Sequence, residues 1–163
     1  MKKIVLILGL VMLIGMAVGH AHIARETDNF TLGQKINSEN DTSGQIDSVS
    51  LTKIINSNST EYELSINKRT RKMFALAKTT IEVKVDDNPS HKFDVQNLQT
   101  MPTEDPYIYS YYIKTSMDQN IIAEIKNAKR IALRVELVDG SQPVLVLREY
   151  ILNEWQQVIN IEK

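Results

Sequence analysis

Two of the three histidines, His20 and His22, lie one residue apart directly after an apolar run at the start of the chain. If the chain is cut after Gly19, the new amine, two backbone amides and the His22 imidazole can place four nitrogens in one plane, an arrangement that suits Cu(II) or Ni(II). If the chain is cut after Ala21, only the amine and the His22 ring remain. The chemistry of this pair therefore depends on where the chain is processed.

The second arrangement resembles one half of the histidine brace of copper monooxygenases. The resemblance covers one residue, His22, and the other half of such a site would have to come from His91 across a polar segment. Histidines beside a processing site have no function in most exported proteins. We therefore predict no metal site and no cofactor, and the pair His20 and His22 remains the one arrangement in the sequence that suggests a metal.

Residues 1–21 have the order of a bacterial secretory signal peptide. A positively charged start is followed by an apolar stretch from Ile4 to Val18, and small residues follow that stretch. The stretch is shorter than the roughly 20 residues that span a bilayer. We predict cleavage after Ala21, with cleavage after Gly19 or an uncleaved membrane anchor as alternatives. The mature protein is then extracytoplasmic, periplasmic or secreted, and contacts the membrane only during export.

The composition excludes several classes of function. The whole chain has a formal net charge of −1, which becomes more negative when Lys2 and Lys3 are removed with the signal. An exported, negatively charged chain has no general attraction for nucleic acid, so nucleic acid is not an expected partner. The chain contains no cysteine, which excludes disulfides, thiol nucleophiles and thiolate metal sites.

The sequence contains no known catalytic motif. His91 lies near Ser90 and Asp87 in the turn of a predicted hairpin, where we expect exposure to solvent rather than the fixed geometry that catalysis needs. Glu104 and Asp105, in the loop before a tyrosine-rich strand, are the nearest approach to a catalytic acid pair. We favour a non-enzymatic protein, and the alternative is a small exported hydrolase whose site is built from scattered residues.

A basic cluster is the first candidate for binding a ligand or partner. The segment KRTRK contains Lys68, Arg69, Arg71 and Lys72. Four cations this close together can bind an anionic surface, although a solvated turn between two strands is the alternative.

The tyrosine-rich segment YIYSYYI is the second candidate. Tyrosine suits binding faces because its ring packs while its hydroxyl stays in water, and the alternative is a half-buried structural ladder. The period of two in a strand places Tyr107, Tyr109 and Tyr111 on one face, and Ile108, Ser110 and Tyr112 on the other.

These features together predict a non-enzymatic binding or structural module of the bacterial cell envelope or periplasm. The partners that we expect are an envelope protein, a cell-wall polymer or an anionic surface. Retention of the signal would instead give a membrane-anchored envelope protein. The sequence leaves the oligomeric state open.

The distribution of apolar residues predicts a polar flexible linker over residues 22–46 and a single α+β domain over residues 47–163. Residues 37–44 contain no apolar side chain, which is typical of a solvated linker. Alternation in the domain predicts about seven mostly antiparallel strands. We expect a curled sheet or half-barrel with two helices of the C-terminal half packed on one face, or alternatively a β-sandwich with edge helices. Trp155, on the apolar stripe of the last helix, is expected in the core.

Overall fold

A computed structural model describes residues 23–27, 33–42, 45–71, 76–105, 107–137 and 140–162. The predicted signal peptide lies outside the described residues, and so do the histidine pair His20 and His22 and the basic residue Lys72. In the described part of the chain, no helix is long and apolar enough to span a membrane.

The described residues form ten strands and two helices. In chain order they are β1 (Ile23–Thr27), β2 (Gln34–Asp41), β3 (Ser48–Ile55), β4 (Thr60–Thr70), β5 (Leu76–Val85), β6 (His91–Asp94), β7 (Asn97–Pro102), β8 (Tyr109–Met117), α1 (Gln119–Ile125), β9 (Ile131–Leu137), β10 (Val144–Val146) and α2 (Glu149–Asn160).

The strands belong to two open antiparallel sheets. One has the order β1-β2-β3-β4-β8-β7, and the other has the order β10-β9-β5-β6. Every strand pair is antiparallel. The predicted α+β class with two late helices is confirmed. The strands that the sequence did not predict are β1, β2 and β7, and neither sheet closes into a barrel.

One hydrophobic core draws side chains from both sheets and both helices. Alternate residues of the strands point into it, because successive side chains of a strand face opposite sides. Trp155 of α2 is fully buried, which confirms its predicted place in the core. Other fully buried members include Leu51, Leu64, Ile113, Ile81, Leu133, Ile121, Ile125 and Ile151.

The helix α1 begins after Asp118, whose Oδ1 accepts hydrogen bonds from the backbone amides of Asn120 and Ile121 at 2.9 and 3.0 Å. A carboxylate at this position satisfies amides that have no partner within the helix.

The segment predicted as a flexible linker contains two strands of the six-stranded sheet, so that prediction is wrong for residues 23–27 and 34–41. In β2, Ile36, Ser38 and Asn40 alternate toward the interior and are buried. The Oε2 of buried Glu154, in α2, accepts hydrogen bonds from Ser38 Oγ and Asn40 Nδ2, both at 2.9 Å. Hydrogen bonding therefore replaces apolar contact on the inner face of this strand, and a strand of polar composition can pack.

Candidate functional site

The two segments predicted to bind a ligand lie on neighbouring strands. The basic cluster ends β4, the tyrosine-rich segment begins β8, and the two strands are paired antiparallel. The register places Lys68 opposite Tyr111 and Arg69 opposite Ser110. The structure thus brings together two segments that are about 40 residues apart in the sequence.

The tyrosines do not form one exposed row. Tyr111 is 3 % exposed, and Tyr109 is half-buried with its ring centroid 6.4 Å from that of Tyr111. Both lie on the face of β8 that carries the buried Ile113, so their rings contribute to packing. Tyr107 precedes the strand and is 74 % exposed.

The members of the basic cluster also have different environments. Lys68 is half-buried, and its Nζ donates a hydrogen bond to the carbonyl of Gln45 at 2.5 Å. The backbone amide of Arg69 donates to Asp47 Oδ2 at 2.6 Å, while its side chain is exposed. Arg71 is exposed just beyond the end of β4. Lys68 and Arg69 therefore belong to the end of a strand rather than to a turn, and among the described members of the cluster Arg69 lines a pocket.

A pocket of about 500 Å³ lies on the outer face of the six-stranded sheet, where β4, β8 and β7 meet. The register aligns Arg69, Ser110 and Met101 across these three strands. We call this site the Arg69 pocket. Its remaining lining residues are Thr103, Glu104, Asp105, Ile108 and Tyr112. The pocket uses the face of the tyrosine-rich segment that carries Ile108, Ser110 and Tyr112.

The loop that forms the rim of the Arg69 pocket is held by local hydrogen bonds. Thr103 Oγ1 lies 2.9 Å from the carbonyl oxygens of both Asp105 and Ile108. Asp105 Oδ1 accepts a hydrogen bond from the backbone amide of Tyr107 at 2.9 Å. Such a turn is typical of aspartate, whose side chain caps nearby backbone amides. It fixes Glu104 and Asp105 beside the pocket.

The Arg69 pocket offers a ligand one exposed cation, whereas its serine hydroxyl is already engaged. Arg69 forms no ion pair with another described residue, so its guanidinium can bind an anionic group of a ligand. Ser110 is buried and its Oγ donates to Asn67 Oδ1 at 2.8 Å, so this hydroxyl is already engaged. None of the described lining residues is a histidine that could activate a nucleophile.

His91 is the first residue of β6 and is half-buried, instead of lying in the solvated turn that was predicted. Its Nε2 lies 3.0 Å from Glu124 Oε1, and its ring stacks on Phe93 with centroids 6.4 Å apart. The neighbouring Ser90 donates its hydroxyl to Glu82 instead of to His91. The pair of His91 and Glu124 therefore joins β6 to α1, and it does not line the Arg69 pocket. Among the described residues, no cluster of His, Asp and Glu side chains could hold a metal ion.

A second cavity, of about 780 Å³, lies between β1 and α2. Ile23 and Arg25 of β1 form one wall, with Ile161 at the end of the helix. The helical wall consists of Asn153, Gln156, Gln157 and Asn160. We call this site the amide groove.

The chain is thus an α+β protein with two open antiparallel sheets and two candidate binding sites, the Arg69 pocket and the amide groove. No family model matches the chain, and no curated protein matches it. The fold is similar to the crystal structure of invasion associated protein b from Bartonella henselae, with a TM-score of 0.56 over 88% of this chain and 92% of that chain. The two sequences are 12% identical, so the similarity is one of fold.

Proposed function

We propose that the chain is an exported bacterial envelope protein that acts as a binding module through the Arg69 pocket. The observation that carries the proposal is the register of β4 and β8, which places Arg69 beside Ser110 and Tyr112 in this pocket. The signal-like N-terminal sequence supports export. The fold similarity to invasion associated protein b from Bartonella henselae supports a place in the envelope.

The lining of the Arg69 pocket favours a discrete ligand over a broad anionic surface. Arg69 offers a planar guanidinium that suits a carboxylate or phosphate group. Glu104 and Asp105 repel a densely anionic surface but can accept hydrogen bonds from hydroxyl or ammonium groups. Met101, which is 46 % exposed, adds apolar surface. An envelope protein segment or a cell-wall polymer that carries an isolated anionic group meets these requirements.

The test measures how much purified protein binds to isolated native envelope fractions. We expect Arg69→Glu to weaken binding by about tenfold or more, because it reverses the charge that meets the ligand. Tyr112→Ala should also weaken binding, since it removes a ring from the pocket wall. Binding should decrease as salt is raised, because an exposed charge contact is screened.

Arg71→Glu is the matched control, because it makes the same change of charge just outside the pocket. Equal loss of binding in Arg71→Glu and Arg69→Glu would show that net charge alone is responsible. Wild-type binding by Arg69→Glu would contradict the proposal. Thermal unfolding of each variant checks that the fold is retained.

A further inference from the structure

The amide groove has a helical wall of four carboxamides. Asn153, Gln156, Gln157 and Asn160 follow the spacing i, i+3, i+4 and i+7, which places them on one side of α2. The buried Trp155 and Ile159 lie on the side that faces the core. The helix therefore presents a continuous uncharged, hydrogen-bonding stripe to the groove.

Most of these carboxamides are free to bind a ligand. Gln156 Nε2 donates to the carbonyls of Ile125 and Ala128 at 3.1 and 3.0 Å, which anchors this side chain to the end of α1. The side chains of Asn153, Gln157 and Asn160 are exposed and make no hydrogen bond to another described residue. Each carboxamide offers both donors and an acceptor.

The opposite wall of the groove is an edge strand. Within the described chain, β1 pairs with β2 on one side, and no strand lies on its other side. Such an edge offers backbone donors and acceptors to an added strand. A strand beside β1 would continue the wall of the groove, and its inward-facing side chains would lie opposite α2.

The lining also determines the charge of the occupant. Arg25 is the one charged residue among the described residues that line the groove, and it forms no ion pair with another described residue. An acidic side chain on the occupant would complement Arg25, and polar side chains would pair with the carboxamides. Ile23 and Ile161 add apolar contact at the border. These features favour a polypeptide over a glycan as the occupant. A peptide main chain matches the regular backbone donors and acceptors of a strand edge, whereas a glycan has no such repeat.

We propose that the amide groove binds an extended peptide segment with an acidic side chain, adding it as a further strand beside β1. The main chain of the peptide bonds to the edge of β1. Its acidic side chain pairs with Arg25, and its polar side chains bond to Asn153, Gln157 and Asn160. This site is separate from the Arg69 pocket, and the proposal does not depend on the function of that pocket.

The test uses the full chain, expressed with its own N-terminus, and fluorescent synthetic libraries of peptides of about six residues, the common strand length. One library has a fixed central Glu and the other a fixed central Lys. We expect the Glu library to bind about tenfold more tightly than the Lys library by fluorescence anisotropy. Arg25→Glu should reverse this preference. Glu26→Lys is a control on the opposite face of the same strand and should leave the preference as it is.

Two further measurements distinguish strand addition from other binding. N-methylation of alternate peptide bonds removes backbone donors and should abolish binding by the Glu library. The double variant Gln157→Ala, Asn160→Ala should weaken binding, whereas Arg69→Glu should not. Undiminished binding of N-methylated peptides, equal binding of both libraries, or displacement of the peptides by soluble peptidoglycan fragments would each overturn the proposal.

Discussion

Lys53 shows how a single charged residue is accommodated in the interior. It is 7 % exposed, and its Nζ donates hydrogen bonds to the carbonyls of Ile159 and Ile161 at 2.8 and 2.6 Å. These carbonyls lie at the C-terminal end of α2, where the helix dipole favours a cation. The ammonium also lies 5.7 Å from the ring centroid of Tyr62. Burial lowers the pKa of Lys53, Lys126 lowers it further, and Glu162 partly opposes the shift.

The pH dependence of the free energy of unfolding tests the environments of Lys53 and Tyr62. Burial raises the pKa of Tyr62 above its ordinary value of about 10. The folded state therefore keeps a proton that the unfolded state loses, and the free energy of unfolding falls as pH rises above about 10. Lys53 has the opposite effect, because its lowered pKa makes the folded state lose a proton that the unfolded state keeps. The free energy of unfolding therefore rises with pH until the unfolded lysine titrates at about pH 10.4.

We expect Tyr62→Phe to flatten the loss of stability above about pH 10, and Lys53→Met to remove the rise in stability that precedes the titration of the unfolded lysine at about pH 10.4. Urea denaturation at a series of alkaline pH values measures both slopes. Tyr107→Phe is the matched control, because Tyr107 is 74 % exposed. An unchanged slope in Tyr62→Phe would contradict the assignment.

Among the elements, β2 best shows why part of the fold could not be predicted from sequence. Apolar alternation indicates a strand, but the inner face of β2 carries Ser38 and Asn40 next to Ile36. Their partner, Glu154, is 114 residues away from Asn40 in the chain, and nothing local indicates it. By contrast, the strands β3 to β5 and the helix α2 carry apolar side chains at regular spacing, and these elements could be predicted.

The polar inner face of β2 also gives a stability prediction. Asn40→Ala removes a hydrogen-bond donor to the buried carboxylate of Glu154 and should lower the free energy of unfolding by about 1–3 kcal/mol. Asn97→Ala, at an exposed position of β7, makes the same substitution and should change it by less than about 0.5 kcal/mol. Chemical denaturation of the two variants and the wild type measures both changes in the free energy of unfolding. Equal effects would mean that the buried network does not stabilise the packing of α2 on the sheet.

At the scale of the whole molecule, the sequence identified segments of the candidate site but not their arrangement. The basic cluster and the tyrosine-rich segment were both recognised from local composition. Their pairing depends on the strand order, in which β8 follows β4 across a crossover, and local patterns do not determine such an order. Of the three tyrosines predicted to share a binding face, Tyr109 and Tyr111 pack against the core and Tyr107 is exposed. The opposite face of β8 lines the pocket, together with Arg69 of β4 and Met101 of β7.

The N-terminus of the mature protein connects the export hypothesis to the fold. Because β1 begins at Ile23, cleavage after Ala21 would leave one residue ahead of the strand, and cleavage after Gly19 would leave three. Both cuts preserve the edge strand and the wall of the amide groove.

From the signal-like sequence of residues 1–21, we expect mass spectrometry of the native protein to find a chain that starts at His22 or, alternatively, at His20. An intact Met1 in the membrane fraction would instead indicate an anchored protein that faces the same compartment. An intact Met1 in the cytosol would overturn the export hypothesis and, with it, the proposed role in the envelope.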